Sequence, residues 1–441
     1  MPNTVDVGAR RSGDLVDFDT TPEVKVTLER TEKRIGLTVA WSTSDSPYAA
    51  WFLGKEVMPG LRVGGQTPTA TPSRLVFYDS HGSVLLLGCW ARGYHSALGG
   101  PGSGHVWASF AVLDVYQNID FEKVNGLRTE ISGLREWLGI SSWAKHEDYR
   151  ARIIELKSEF PDPIAAGTYG GVDLSFTPAR NLTQVDKDSD KQVIHDLVWC
   201  QTRSSSLMGW GQHLTVHRAV RDLLVLSRWH GESEVFNYVM RSDDPLLTMD
   251  GKSHGEQWRA VVVADDAKAM PPGDQREHLI RYSELGEAGL LKWLALREEF
   301  GRALDPVISS IDLTSATPHT LLAHTGPGLE ALGYLLFIHD GKTNKQASGK
   351  SLRARLERIL AELGDSLPFD GPTWVDELTR DYNGLKHANR AAPDEVDVLN
   401  SWLRSILVVR AWVALELGVP TDEVKSRLQR DPENMSYERR R

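Results

Sequence analysis

The hydrophobic pattern of this chain changes near Arg281 from a period of two residues to a period of about 3.6 residues. Before this point, short runs such as VKVTLERT and IGLTVAWST alternate apolar and polar residues, as strands with one buried face do. Beyond it, the apolar residues follow the spacing of helices. The pattern therefore predicts an α+β chain in which strands come first and helices follow.

The first part of the chain contains several strand-like runs separated by Gly, Pro and Ser. The strongest is RLVFYDSHGSVLLLGCWARG, whose two halves are joined by a turn at His81 and Gly82. A later pair is formed by VFNYVMRS and QWRAVVVADD. Short strands with frequent turn signals favour an antiparallel sheet with a sandwich-like arrangement. We expect two helical inserts in this region, GLREWLG and HEDYRARIIELKSEF.

The last part of the chain reads as a helical bundle. Its helix boundaries carry the expected punctuation, with Thr317 and Pro318 at one start and Gly364 and Gly418 after two ends. Short connections between helices of similar length favour antiparallel packing. We expect helices at about residues 283–304, 318–338, 350–364, 373–388, 395–417 and 421–430.

These patterns divide the chain into five segments. We expect a flexible tail at residues 1–22, a β-rich domain at 23–200, a mixed and mainly helical connection at 201–316, a helical bundle at 317–420, and a short helix with a charged tail at 421–441.

Composition excludes several classes of protein. The longest apolar stretch, residues 84–91, is far shorter than the roughly 20 residues that a membrane span needs. The N-terminus has no apolar segment typical of a secretory signal. The two cysteines stand alone, without a CxxC pair or a disulfide framework. We therefore expect a cytoplasmic protein without a membrane partner.

The net charge of −10 does not exclude an RNA partner, because the acidic surplus is unevenly distributed. From Pro318 to Arg441 the chain has 17 Lys and Arg residues against 18 Asp and Glu residues. The helical part is thus close to neutral, and it carries local basic runs.

One predicted helix, WVDELTRDYNGLKHANR, carries a polar stripe. Arg380 and His387 are seven residues apart and would point within about 20° of each other on a helix. Asn383 lies between them on the same stripe, and Asp381 and Lys386 flank it.

This set of side chains suits RNA cleavage by the neighbouring 2′-hydroxyl. Histidine can accept or donate the transferred proton near neutral pH. Arginine offers a permanent charge whose fork matches phosphate oxygens, and asparagine can bind ribose or phosphate. No metal or other cofactor is needed. Because one helix supplies one histidine, a two-fold dimer would complete such a site.

The string R-D-Y-N-G-L-K-H, from Arg380 to His387, resembles the R-x(4–6)-H motif of HEPN domains. These are helical bundles that dimerise, and many are metal-independent endoribonucleases of toxins and phage defence. Arg-Asp and a six-residue gap stand here, where the family more often has Arg-Asn and a shorter gap. The helix LLAHTGPGLEALGYLLF also offers Glu330 where HEPN bundles often carry an acidic residue.

The order of segments is similar to that of ApeA-like anti-phage proteins, in which a β-rich region precedes a HEPN bundle. The resemblance implies an endoribonuclease that acts in abortive infection, with Arg380 and His387 as catalytic residues. Asp381, Asn383, Lys386 and Glu330 would orient the motif or the RNA. It also implies a homodimer with RNA as substrate, and an N-terminal region that controls cleavage in response to a phage-derived trigger.

Several simpler interpretations stay open. Arg380 and His387 could lie on a solvated helix face, with Arg380 paired to Asp376 or Asp381. Glu330 could form an ordinary ion pair within the bundle. The whole chain could be a non-catalytic HEPN-like dimer that binds RNA or a protein, with the β region as a ligand-recognition module. A carbohydrate-active sandwich ranks behind these, because no convincing carboxylate pair marks a site.

Overall fold

The structure is a computed structural model that describes residues 2–16, 24–43, 46–53, 56–58, 61–62, 70–97, 100–116, 119–159, 161–186, 191–264 and 277–438. Within these residues the strands are β1 Arg10–Val16, β2 Val24–Thr31, β3 Arg34–Trp41, β4 Glu56–Met58, β5 Leu61–Arg62, β6 Arg74–Asp79, β7 Gly82–Leu87, β8 Trp90–Ser96, β9 Gly102–Ala108, β10 Phe110–Leu113, β11 Lys123–Ile131, β12 Trp143–Asp148, β13 Ile153–Ser158, β14 Ile164–Tyr169, β15 Val172–Asp186, β16 Lys191–Gly209, β17 Glu234–Leu247 and β18 Ser253–Val263.

The helices cluster in the C-terminal part, as the change of hydrophobic period predicts. They are α1 Ala50–Leu53, α2 Leu134–Leu138, α3 Trp210–Arg228, α4 Tyr282–Asp312, α5 Pro318–His339, α6 Asn344–Ser348, α7 Leu352–Leu363, α8 Gly371–Lys386, α9 Glu395–Glu416 and α10 Thr421–Arg430. The predicted fold class is confirmed, with a large antiparallel sheet in the N-terminal region and a helical bundle after it.

The chain forms two compact units. Unit 1 comprises Met1–Glu130, Gln201–Leu214 and Glu234–Ala269, and unit 2 comprises Ile131–Cys200, Thr215–Ser233 and Met270–Arg441. The boundaries at residues 22, 200, 316 and 420 stay a prediction.

Unit 1 is built on an antiparallel sheet in which the strands from β17 onward follow the order β17-β18-β10-β7-β6-β1-β2-β3-β9-β8. The paired strands β6 and β7 bury side chains on both faces. Leu75 and Phe77 enter one apolar cluster, while Val76 and Leu85 enter the other. This two-sided burial explains the nearly continuous apolar run that the sequence shows there.

The prediction of a flexible tail at residues 1–22 is wrong for Arg10–Val16, which form β1 between β2 and β6. The inward positions of β1 are Arg11, Gly13 and Leu15, so two of its three buried residues are not apolar side chains. Arg11 is buried because it forms an ion pair with Asp79, at 2.5 Å. A strand that buries a paired arginine and a glycine gives no hydrophobic alternation. Residues 17–22 of the predicted tail lie outside the described residues.

The predicted helical insert HEDYRARIIELKSEF is instead the β-hairpin β12–β13, which belongs to unit 2. Its register pairs Trp143 with Ser158 and Asp148 with Ile153. Ile153, Ile154 and Leu156 are exposed, although their spacing imitated the apolar face of a helix. The other predicted insert is confirmed as α2.

In unit 2 the predicted helices are present, with α6 in addition. Side chains of Thr317 and Asp370 cap α5 and α8 by accepting bonds from the backbone N–H groups of Thr320 and Thr373. The helix α4 contains a kink at Gly286, whose φ of 59° is the left-handed conformation that glycine tolerates. The bundle packs around three tryptophans that are at most 1% exposed, Trp293, Trp374 and Trp412.

Unit 2 also includes the part of α3 after Leu214, which sequence reasoning assigned to a connection. The indole N–H of Trp293 donates to the carbonyl oxygen of Ala219, at 2.7 Å. The buried guanidinium of Arg410 on α9 donates to the carbonyl oxygens of Leu226, at 2.6 Å, and Ser227, at 3.1 Å. This part of α3 therefore packs as part of the same core as α4 and α9.

The helices α5 and α9 are the two described helices that are long and apolar enough to cross a membrane by length and composition. Of their most apolar windows, 50% and 72% are buried inside the protein. This is the burial expected for core helices of a helical bundle.

Candidate functional site

Four of the six residues singled out in the sequence lie on α8, namely Arg380, Asp381, Asn383 and Lys386. This helix is anchored in the bundle by Trp374, Val375 and Leu378, which are at most 1% exposed, and the buried Asp381 lies on this same side. The apolar residues thus fix which side of α8 faces outward.

His387 is the first residue after α8 and not part of its helical face. Its φ of −122° and ψ of 106° are extended, although its N–H still donates to the carbonyl oxygen of Asn383, at 3.1 Å. The prediction that the helix continues to residue 388 is therefore wrong at its end. The side chain of His387 is exposed.

The helix ends here because the following loop folds back on it. The N–H of Arg390 donates to the carbonyl oxygen of His387, at 3.0 Å, which closes a tight turn. A Cβ atom on Gly384 would lie 3.0 Å from both the Ala391 carbonyl oxygen and the Pro393 Cδ atom. The glycine within the motif thus makes room for the loop that begins with His387.

Arg380 is held at the surface by a buried carboxylate. Its Nε donates to Oδ1 of Asp381, at 2.7 Å, and its Nη2 to Oδ2, at 3.2 Å. Asp381 is 0% exposed, while the side chain of Arg380 is 60% exposed. The second acidic group near Arg380 is Asp397 on α9, at 3.7 Å. The bonds to Asp381 raise the pKa of Arg380 further above its already high ordinary value.

Asp381 is in turn fixed by α9, since the hydroxyl of Ser401 donates to its Oδ2 at 2.6 Å. Ser401 is only 1% exposed. Because Asp381 has no exposed surface, it can orient Arg380 but cannot itself contact RNA.

Glu330 on α5 collects three neighbours. Its Oε1 accepts a bond from Lys386 at 2.7 Å and its Oε2 one from Arg355 at 3.2 Å, and the hydroxyl of Tyr382 bonds to the same carboxylate. Burial and this carboxylate raise the pKa of the Tyr382 phenol, so that it stays protonated. The Tyr382 ring packs on Gly326, where a Cβ atom would lie 2.2 Å from Cε2.

The structure thus forms two small clusters along one helix. Arg380, Asp381, Ser401 and Asp397 lie toward α9, and Lys386, Glu330, Tyr382 and Arg355 lie toward α5 and α7. Asn383 is half-buried and lies between Asp381 and Lys386 in the sequence. Its carbonyl oxygen accepts a hydrogen bond from the N–H of His387.

Sequence reasoning missed Ser401, Tyr382, Asp397 and Arg355. Ser401 offered one signal, because together with Ser405 it places hydroxyls four residues apart among the buried apolar positions of α9. In the structure Ser405 accepts the indole N–H of Trp374, at 3.3 Å, so the two serines serve different partners on α8.

No group of three or more His, Cys, Asp or Glu residues placed to hold a metal occurs among the described residues. The histidine pair at positions 213 and 217 is fully buried, and Nδ1 of His213 lies 2.9 Å from the Thr202 hydroxyl. Burial lowers the pKa of His213.

Two family models match the chain. The model described as ApeA N-terminal domain 1 matches residues 66–230, and the model described as Apea-like HEPN matches residues 335–423. The second match contains Arg380 and His387, while Glu330 lies just before it. No curated protein and no solved structure matches significantly.

Proposed function

Because this chain is an ApeA-like protein with a C-terminal HEPN domain, we propose that it is a metal-independent endoribonuclease of an anti-phage defence system. The observation that carries the proposal is the arrangement at the end of α8. An arginine held by a buried carboxylate stands seven residues before an exposed histidine in a closed turn.

Arg380 would bind the phosphate that is attacked. Its guanidinium can donate to two non-bridging oxygens, and its charge balances the charge that develops on the pentacovalent intermediate. Asp381 keeps the side chain in place throughout. The longer contact to Asp397, at 3.7 Å, would be exchanged for the phosphate.

His387 would move the proton. It takes the proton of the 2′-hydroxyl while the 2′-oxygen forms a bond to phosphorus, and the bond from phosphorus to the 5′-oxygen then breaks. The leaving 5′-oxygen receives a proton, so the products carry a 2′,3′-cyclic phosphate and a 5′-hydroxyl. Neither step involves a metal or a redox group.

A second copy of the chain would complete the site. One α8 supplies one histidine, while proton removal and proton delivery are most efficient with two groups. In a two-fold dimer the partner subunit offers its own Arg380 and His387. We therefore propose that the active form is a homodimer through the HEPN bundle.

The groups around Glu330 would hold the RNA-facing side of the bundle. Lys386 is about half exposed and shares Glu330 with Arg355, so one positive charge of this cluster is unbalanced and would be available to a phosphate that follows the cleaved one. Asn383 would bind ribose or orient the turn. The N-terminal region would control this activity in the cytoplasm in response to a phage-derived trigger.

The proposal is tested by RNA cleavage with EDTA present, comparing the wild type with Arg380→Ala and His387→Ala. His339→Ala is the matched control, because His339 is an exposed histidine of the same bundle that pairs with Glu299. We expect cyclic-phosphate ends from the wild type and from the control and a loss of at least about 100-fold in both site variants. The same four proteins are compared for protection of phage-challenged cells, where a trigger is present.

Equal protection by all four proteins would overturn the catalytic proposal. Loss of dimerisation in the Arg380 and His387 variants, with no cleavage by any protein, would instead favour the non-catalytic HEPN-like dimer. The outward Arg380, already bound by two carboxylates, is the observation in favour of that second function.

A further inference from the structure

Unit 1 contains a solvent-open cleft that the RNA-cleavage proposal does not use. It lies beside the turn between β6 and β7, the end of β10 and the hairpin β17–β18, and its volume is about 830 Å³. Apolar side chains, among them Val115, Ile119 and Leu247, form part of its lining. A cleft of this size accommodates several side chains of a bound ligand.

Two tyrosines at this cleft are exposed to solvent. Tyr78 is 50% exposed and Tyr116 is 61% exposed, whereas Phe77 and Phe121 of the same unit are fully buried. The guanidinium of Arg259 stacks on the Tyr116 ring, with its Cζ 5.3 Å from the ring centroid, and so orients it. Exposed and oriented aromatic rings are a common feature of recognition sites.

Three carboxylates line the same cleft, and their partners differ. Arg241 binds Asp243 at 2.6 and 2.8 Å, and Arg259 binds Asp244 at 2.6 and 2.8 Å. Each of these charges is therefore balanced by a guanidinium. Asp114 instead accepts a bond from the neutral amide of Asn3, at 2.8 Å, which orients the carboxylate without balancing its charge.

The backbone also fixes the position of Asp114. Its φ of 58° is left-handed, which is a strained conformation for a residue with a side chain, and its N–H donates to the carbonyl oxygen of Ser83 at 2.9 Å. Asn3 is held by the guanidinium of Arg11, at 2.7 Å, and by Ser83. The carboxylate is thus preorganised at the surface of the cleft.

We propose that this cleft binds a lysine or arginine side chain presented by an extended segment of another protein. Asp114 pairs with the cation, Tyr78 and Tyr116 offer the faces of their rings, and the apolar wall receives the methylene groups. A phosphate-bearing ligand is disfavoured, because the lining carries three carboxylates and one guanidinium. The proposal is independent of RNA cleavage, since its ligand and its residues are different.

The test uses the full chain and a fluorescein-labelled extended octapeptide with two lysines, with binding followed by fluorescence anisotropy. The same peptide with both lysines acetylated has no cation. We expect the wild type to bind the lysine peptide at least about tenfold more tightly than the acetylated peptide. Asp114→Asn and Tyr116→Ala should each weaken binding about fivefold or more, while melting temperatures report that the fold is kept.

Asp162→Asn is the matched control, because Asp162 is an exposed aspartate of unit 2 and the substitution removes the same charge. It should bind the peptide as the wild type does. Equal binding of the two peptides, equal loss in Asp114→Asn and Asp162→Asn, or no binding at millimolar peptide overturns the proposal. A single-stranded RNA octamer that binds in place of the peptide, and depends on Tyr116, overturns it as well.

Discussion

Asp381 is the residue on which the position of Arg380 depends, because it is buried and binds the guanidinium through both oxygens. Asp381→Asn keeps the shape but removes the charge, so Arg380 is no longer fixed. We expect the cleavage rate to fall about 100-fold, as misplacement of a catalytic group does. The measurement is single-turnover RNA cleavage by both proteins.

Asp376→Asn is the control for this substitution. Asp376 lies on the same helix, its side chain is 64% exposed, and it pairs with Arg353 at the surface. Cleavage should be unchanged in this variant. An unchanged rate in Asp381→Asn as well would show that the buried carboxylate does not position Arg380. Ser401→Ala, which removes one bond to Asp381, should give a smaller loss than Asp381→Asn.

Glu232 provides a prediction on pH dependence. Burial raises its pKa from 4.5 to about 7, although Ser132 and Arg228 favour its ionised form. Since the folded pKa is the higher one, this group contributes stability that is fully present below pH 4.5 and is lost as the pH rises to about 7. The difference in melting temperature, Glu232→Gln minus wild type, should therefore grow from about pH 5 to pH 8.

His278 supplies the opposite case in the same unit. Burial, with a contribution from Arg228, lowers its pKa from 6.5 to about 4, so its contribution to stability is lost as the pH falls through this range. His278→Gln should thus differ from the wild type mainly on the acid side. If the difference in melting temperature between Glu232→Gln and the wild type stays constant over the whole pH range, the prediction for Glu232 is contradicted.

The candidate site was partly predictable because helix periodicity places residues at fixed angles. It placed Arg380, Asn383 and His387 on one stripe, with Asp381 and Lys386 beside it. All of these except His387 lie on α8, and the resemblance added Glu330. It could not predict that Ser401 would reach Asp381 across a helix contact, since this depends on the packing of α9. The position of His387 depends on a loop that folds back, which the helical pattern does not contain.

At the scale of elements, replacing Gly384 by alanine should not give the gain in stability that this substitution usually gives in a helix. Alanine in place of glycine within a helix normally stabilises by about 1 kcal/mol. At Gly384 the new Cβ would press on Ala391 and Pro393, at 3.0 Å, and displace the turn that carries His387. We expect Gly384→Ala to lower cleavage about tenfold or more, with no gain in stability. Single-turnover cleavage and thermal unfolding measure the two effects.

Gly301→Ala is the comparison, because Gly301 lies inside α4 and only the flexible ends of Arg297 and Asp305 come near its missing Cβ. It should stabilise the protein and leave cleavage unchanged. If Gly384→Ala behaves in the same way, the loop does not depend on the glycine.

Most helix ends of unit 2 were predictable within a few residues because they are set by local chemistry, but α4 continues eight residues past its predicted end at residue 304. Thr317 and Asp370 cap their own helices, and this can be recognised without tertiary structure. The strand β1 was not predictable, because the burial of Arg11 depends on its ion pair with Asp79, which is 68 residues away. The hairpin β12–β13 was misassigned because its exposed apolar residues imitate a helical face.

At the scale of the whole molecule, unit 2 depends on contacts between distant parts of the sequence. Arg410 is 1% exposed, stacks on Trp229 and forms an ion pair with Asp431 at 2.6 Å. Arg410→Met leaves Asp431 and two carbonyl oxygens of α3 without this partner. We expect a loss of about 3–5 kcal/mol in the free energy of unfolding, measured with urea.

Arg404→Met is the control, because Arg404 lies on the same helix, is more exposed and pairs with Glu377 near the surface. Its effect should stay below about 1 kcal/mol. A loss below about 1 kcal/mol in Arg410→Met as well would mean that its bonds to α3 contribute little to the stability of unit 2.

The length of chain between Arg410 and its partner Leu226 has a consequence for synthesis of the protein on the ribosome. The hydrogen bond from Arg410 to Leu226 joins residues 184 positions apart. At ordinary rates of translation, about 10–40 s separate the synthesis of α3 from that of α9. For most of this interval Arg380 and Asp381 have not yet been made, and once they are made Asp381 still lacks its bond from Ser401. The proposed ribonuclease site would therefore form only after most of its own messenger RNA has been read.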